Sequence, residues 1–289
     1  MFWNMLTIEH TKHFRRMLLW VELAILAGLI FIMLLMIFIT MQVDTSVEMF
    51  PSEIKDQIMQ MLVWPNSLYY ALSFSAGGSI GGMLLIILVG AAIAQEYNWR
   101  TVHLWLSRGI PRITLLSARF AGFLLPACMI VIIPFLVGTG ITAIFTLQIE
   151  GGLNLNQIDA LHLGYSLIRT VYSLLPYAAL TFLIALVSKS TVVAIGVSLG
   201  YSLLIESVSI SVLNLVGGTL AKISQYLPGS MVTSLLSLNM PGMEISTGFN
   251  GVAQVQMLEP LTAALGIAVW TMLFMGIAIW AFRHQDITD

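Results

Sequence analysis

The chain has 289 residues, 58% hydrophobic and 9% charged, with a formal net charge of −2 and a mean hydropathy of +0.93. Soluble domains run at about 45–50% apolar and about 25% charged residues, so this composition excludes an ordinary soluble protein and predicts one whose solvent is lipid. The one cysteine, Cys128, excludes an internal disulfide and a cysteine-based metal site, and reads as a small core residue.

The first sixteen residues, MFWNMLTIEHTKHFRR, are basic and lead into an apolar run over 17–40. A secretory signal has an apolar stretch of about 7–15 residues followed by a small-residue cleavage site. This run is longer and no such site closes it, so it is expected to stay as a membrane span. His10 and His13 share a helix face beside Arg15 and Arg16 and read as an interfacial face rather than a metal site. Glu22, early in the run, is expected to be hydrated or paired with Arg15 or Arg16. Met33, Met36 and Met41, with Phe31 and Phe38, fit either an apolar path or a lipid-facing surface.

Residues 41–67 form a connection in which Ile54, Ile58, Met61 and Leu62 predict a short interfacial helix stopped before Pro65. The second apolar run, 68–94, contains SFSAGGSIGG (73–82), a set of small residues that permits close helix packing in lipid. The third run, 113–147, exceeds one bilayer and holds Pro126 and Pro134, which predicts a kink or tilt. A short acidic loop over 148–162 leads to runs at 163–187 and 191–216, a hairpin turning near 188–190. Residues 217–260 are semi-apolar, and PGSMVTSLLSL (228–238) predicts a short helix with proline in its first turn. The last run covers 261–282.

Each of the six runs is long enough to cross a bilayer, and in lipid each must be helical. The expected fold is therefore all-α, a polytopic membrane protein with six transmembrane helices and no soluble domain. With both termini inside, nine of the twelve Lys and Arg residues face the cytoplasm: Lys12, Arg15, Arg16, Arg100, Arg108, Arg112, Arg119, Lys189 and Arg283. Lys55, Arg169 and Lys222 remain outside, and the positive-inside rule selects this orientation.

Arg169 and Glu206 fall within the fourth and fifth runs. Counted from the turn, Arg169 lies about 19.5 residues back and Glu206 about 17.5 forward, a depth difference of roughly 3 Å at about 1.5 Å per residue. They are expected to form a helix-clamping ion pair in preference to a substrate contact.

The sequence carries no G-x-x-x-x-G-K-[ST] phosphate loop, no H-E-x-x-H site and no G-x-S-x-G elbow. Its distinctive polar stretch is QEYNWRTVHLWLSRGIPR, residues 95–112, on the cytoplasmic side. Read as a helix over 95–107, it places Trp99, Val102, Trp105 and Leu106 on one side and Glu96, Arg100 and His103 on another, before Gly109 and Pro111 end it. Periodicity leaves two readings open: a passive interfacial linker, or a docking surface for a cytoplasmic partner.

Here the chain resembles a known family. Glu96, Arg100 and Thr101, continued by LWLSRGIPRITLLSARF, resemble the E…GT…LLSRPVSR…LL.GK pattern of the ABC-2 type transporter permeases. The chain departs from it at Arg100, where glycine is common, and at Arg119, where lysine is common. TIEHTKHFRR is similar to the family's lead-in helix and AFRHQD to its basic tail. The resemblance covers 1–289 as a single transmembrane domain. It implies that the segment after the second span is a cytoplasmic coupling helix seated in a separate ABC ATPase, with Glu96, Trp99, Arg100, Trp105, Arg108 and Arg112 as the docking residues. It further implies a cell-membrane exporter subunit that works with a second permease subunit, identical or related, in membrane lipid and without nucleic acid. This chain would hold no cofactor, since ATP and Mg would be bound by the ATPase, and it would not itself be an enzyme. The alternatives are a non-transporting assembly or sensor subunit that docks an ATPase, and an ATP-independent secondary transporter or channel.

Overall fold

The computed structural model describes residues 2–43, 61–99, 105, 107, 109–153, 158–240 and 257–285. Among them the regular structure is all helical. Six helical stretches are long and apolar enough to cross a membrane: Met17–Thr40, Ile80–Tyr97, Arg112–Ile149, Ala160–Ser188, Thr191–Val216 and Pro260–His284. The chain is a multi-pass membrane protein.

Helix α1 (Phe2–Arg15) precedes α2 (Met17–Val43), the first span. Span 2 differs from the expected single run. It divides into α3 (Asn66–Ser73) and α4 (Ile80–Asn98), with the irregular stretch 74–79, buried at 75–77, between them. The small residues of 73–82 explain the break. The Gly77 N–H donates to Ser173 Oγ at 2.9 Å, and a Cβ at Gly77 would collide with the Ser173 carbonyl. The backbones touch because nothing larger than hydrogen intervenes.

Prolines divide the next two spans. Span 3 comprises α5 (Arg112–Gly122) and α6 (Leu124–Glu150), interrupted at Phe123. Span 4 comprises α7 (Ala160–Ser173) and α8 (Leu175–Ser188), interrupted at Leu174. Pro126 and Pro176 each lack an N–H and crowd the carbonyl four residues back, at Gly122 and Tyr172. Asp159 caps α7 by accepting from the N–H groups of Leu161 (2.9 Å) and His162 (3.2 Å). Lys189, with φ 52°, makes the left-handed turn into span 5.

Span 5 runs through α9 (Thr191–Gly200), a π-turn (Tyr201–Ile205) and α10 (Glu206–Val216). Helix α11 (Gly218–Ser224) follows. The short helix expected over 228–238 is α12 (Pro228–Leu236), with proline in its first turn and a 3₁₀ turn, Ser237–Asn239, after it. The last span is α13 (Pro260–His284). Residues 44–60, which hold most of the expected interfacial helix, lie outside the described residues.

Spans 2 and 4 are central, and spans 1, 5 and 6 are peripheral. The core joins Leu26 and Ile30 of α2, Leu88 of α4, Ile130 of α6 and Phe182 of α8. The outer side of α2 exposes Phe31, Met33 and Met36, while Phe38 turns inward and stacks on Phe145 at 4.1 Å. The Met41 side chain lies outside the described residues. Both ends of the chain meet one face of the bundle. Lys12 reaches Glu96, and the Gln285 side chain donates to the Leu186 carbonyl at 3.0 Å. Tyr69, His162 and Leu238 meet on the opposite face. An even number of crossings requires this layout.

Candidate functional site

The termini face carries a buried ionic joint. Met5, Glu9 and His13, spaced four apart on α1, turn one side of the helix onto α5. Glu9 and Lys12, three apart, pair at 2.9 Å. Lys12 also reaches Glu96, in the last turns of α4, at 3.1 Å. Arg119 of α5 contacts the other Glu96 oxygen at 2.5 Å and lies 3.9 Å from Glu9. Arg119 is 1% exposed, Glu9 3% and Glu96 5%. Two carboxylates thus alternate with two cations, and this pairing is what makes burial of Glu9, Glu96 and Arg119 tolerable, with the partly exposed Lys12 completing the set. Three separate segments are tied at one point: the lead-in helix, the end of span 2 and the start of span 3.

Two more side chains close the joint. Arg16 donates from Nη2 to the Ala92 carbonyl at 3.4 Å. Burial lowers its pKa, and the nearby Glu96 and Glu9 oppose that shift. The His13 ring lies 4.6 Å from the Phe123 ring, centre to centre. Burial first, then the charges of Arg16, Lys12 and His10, push its pKa down to about 3. His13 is therefore a neutral packing ring buried within the bundle at 2% exposure, where the sequence pattern of His10 and His13 predicts an interfacial face.

The structure separates the expected docking residues into different environments. Glu96 does not stand on a surface helix: it belongs to the span 2 helix and is held inside the joint by Lys12 and Arg119. Trp105 packs inward with Met5, Ile110, Leu115 and Ala118, under the Lys12 ammonium at 5.6 Å from the ring centre. Arg112 caps the last span, donating from Nη1 to the carbonyls of Phe282 (3.0 Å), Arg283 (3.0 Å) and Gln285 (3.3 Å). A cation at a helix C-terminus complements the dipole there. Trp99, just after α4, is 66% exposed. Arg100 and Arg108 lie outside the described residues, as do Val102, His103 and Leu106. The stretch from Trp99 to Pro111 is therefore anchored at both ends, by the ionic joint on one side and by the Arg112 cap on the other.

On the opposite face, the expected Arg169–Glu206 pair is replaced by a clamp on a third element. Glu206 Oε1 accepts from the Gly229 N–H at 2.6 Å, and Oε2 accepts from the Tyr177 hydroxyl at 2.9 Å. Arg169 Nη1 donates instead to the Leu238 carbonyl (3.4 Å) and Asn239 Oδ1 (3.3 Å). His162 Nε2 bonds that same carbonyl at 3.0 Å, and Nδ1 bonds the Tyr69 hydroxyl at 3.0 Å. A carbonyl only accepts, so Nε2 carries the proton in that bond. The carboxylate thus sits at the N-terminus of α12 and the guanidinium just beyond its C-terminus, matching the helix dipole. Residue counting assumed two straight α-helices. The break at Leu174 lies between Arg169 and the turn, and the π-turn at Tyr201–Ile205 lies between the turn and Glu206. Each interruption re-aims the charge beyond it.

Glu22 also differs from expectation. It is 3% exposed and pairs with neither Arg15 nor Arg16, and its carboxylate has no hydrogen-bond partner among the described residues. The members of the joint that were not picked out from sequence are Glu9, Lys12 and Arg119. Their available signals were the i, i+3 charge pair in TIEHTK and an arginine inside an apolar run. The partners of the far-face clamp (Tyr69, His162, Tyr177, Gly229 and Asn239) left no such signal.

Residues 78–288 match the sequence profile of a family described as "Protein of unknown function (DUF2705)". The chain is also 21% identical over 219 residues to "Uncharacterized protein YhcI" of Bacillus subtilis (strain 168). That alignment covers 72% of this chain and 65% of the relative, so the chain spans just under two thirds of the length of the protein it matches.

Proposed function

The chain belongs to the DUF2705 family, and we propose that it is the membrane subunit of an ATP-driven exporter, of the ABC-2 permease kind, docked by separate ATPase subunits. The observation that carries this reading is the double anchoring of the stretch from Trp99 to Pro111. On one side it continues from α4, which the joint ties to α1 and α5. On the other it enters α5 at Arg112, which is bonded to the end of span 6. A push on this stretch from the aqueous side would move the ends of spans 2, 3 and 6 and the lead-in helix together. That is the mechanical requirement of a subunit whose energy arrives from outside its own chain. Trp99 supplies an exposed aromatic anchor of the type that concentrates binding energy at interfaces. Glu96, Arg119 and Arg112 act behind that surface as positioning residues. ATP and Mg would be held by the partner, a second copy or a related permease would complete the path, and the cell membrane would be the site of action.

The test is recovery of an ATPase with the tagged chain from membranes. Trp99→Ala combined with Arg100→Glu and Arg108→Glu is expected to cut co-purified ATP hydrolysis at least tenfold while the chain inserts normally. Undiminished recovery would remove the docking role. A second reading, an ATP-independent transporter, draws on the broken span 2, since interrupted helices line the sites of many secondary transporters. Ion-coupled uptake by the chain alone in vesicles without nucleotide would favour it.

A further inference from the structure

Arg169 is the charge that the α12 clamp uses least. Nη1 makes both of its protein hydrogen bonds, and both are long, at 3.3 and 3.4 Å. Nε and Nη2 have no protein partner among the described residues and are not enclosed. A guanidinium offers five donors in a fixed fork, so the donors on Nε and Nη2 of this partly exposed residue are left without a protein partner among the described residues. The side of α7 beside it is open. Leu161, Tyr165 and Ile168 are 75%, 59% and 65% exposed and follow helical spacing along it. The Arg169 guanidinium lies over the Tyr165 ring at 6.0 Å.

Depth decides what meets this fork. The fourth span has 29 residues, about 43 Å at about 1.5 Å per residue. The hydrocarbon core is about 30 Å thick, so a centred span overhangs each edge by roughly 7 Å. Arg169 is nine residues into α7, about 13–14 Å along it, which places its Cα roughly 7 Å inside the hydrocarbon edge. An arginine side chain covers that distance by snorkelling, bringing its head to the headgroup level. Tyrosine favours the same level. The anion available there is a lipid phosphate, and a guanidinium matches phosphate in a bidentate geometry.

We propose that Arg169 and Tyr165 form a binding site for the phosphate of a phospholipid in the leaflet opposite the chain termini, with Leu161 beside its headgroup and Ile168 along its acyl portion. The site stands independently of any transport role. A bound lipid would complete the coordination of Arg169 and so steady the C-terminal end of the α12 clamp.

The full-length protein in neutral detergent tests this by native mass spectrometry with phosphatidylglycerol, a diacylglycerol of the same acyl chains, and glycerol phosphate. Wild type is expected to keep a phosphatidylglycerol adduct and no diacylglycerol adduct, with glycerol phosphate displacing less than a tenth of the lipid. Arg169→Gln is expected to lower that adduct at least tenfold with a lipid-free melting temperature within a few degrees of wild type. Arg169→Lys, a point charge, is expected to lose only part of it. Equal binding of diacylglycerol, retention of the adduct within twofold by Arg169→Gln, or full displacement by glycerol phosphate would each overturn the proposal. If Arg169→Gln does not fold, the wild-type lipid comparison with Arg169→Lys and Tyr165→Leu decides. The lysine variant is then expected to bind a few-fold more weakly, and the leucine variant likewise.

Discussion

Replacing Arg119 by methionine tests the ionic joint most directly. Methionine fills much of the same volume without charge, so the change reads electrostatics more than packing. Removing one partner of a buried pair typically costs about 3–5 kcal/mol, because the other charge is left unpaired. Here Glu96 keeps Lys12 at 3.1 Å, but that side chain is 29% exposed and its attraction is screened. The expected loss is therefore about 2–4 kcal/mol, toward the lower side of the range. Glu96→Gln alone leaves Arg119 buried with only Glu9 at 3.9 Å and should cost a similar amount. The double variant leaves neither charge stranded. The two changes are then expected to couple by about 1–3 kcal/mol, as groups in one ion-pair network do. Unfolding in mixed micelles by titration with a denaturing detergent, followed by tryptophan fluorescence, measures all four corners of the cycle. Additivity within about 0.5 kcal/mol would refute the joint.

Gly77→Ala drives a Cβ into the backbone carbonyl of Ser173, which cannot rotate away, so a loss of about 1–3 kcal/mol is expected from overpacking. An unchanged thermal midpoint would show that spans 2 and 4 do not approach this closely. Glu206→Gln keeps the shape but gives up the charge-assisted bonds to the Gly229 N–H and the Tyr177 hydroxyl, at a cost of about 1–3 kcal/mol. Hydrogen exchange at Gly229–Met231 should rise in that variant, and unaltered protection would argue against a clamp on α12. His13 titrates at about 3 in the fold against an ordinary 6.5. As pH falls below about 6.5 the unfolded chain takes up a proton that the folded chain refuses, so stability declines between those values and is indifferent to this group above them. His13→Phe, which keeps the contact with Phe123, should flatten that part of the pH dependence relative to wild type; identical slopes would exclude His13 as its source.

What could be read without coordinates was set by the solvent. Lipid requires long apolar helices with internally satisfied backbones, so six runs, the break before Pro126 and the short helix at Pro228–Leu236 were legible from composition and local chemistry alone, whereas Pro134 lies within an unbroken helix and the break before Pro176 was not foreseen. The gathering of basic residues on one side was legible for the same reason, because each charge must find water or a partner. The partners themselves were not legible. Glu96 looked like a surface residue until Lys12, 84 positions away, and Arg119 closed around it. Arg169 and Glu206 looked like each other's counterion until the break at Leu174 and the π-turn at Tyr201–Ile205 turned them to opposite ends of α12. Period and hydropathy are local and average over a turn of helix. The direction of a single side chain depends on every irregularity between it and its partner, and only the packed chain settles that.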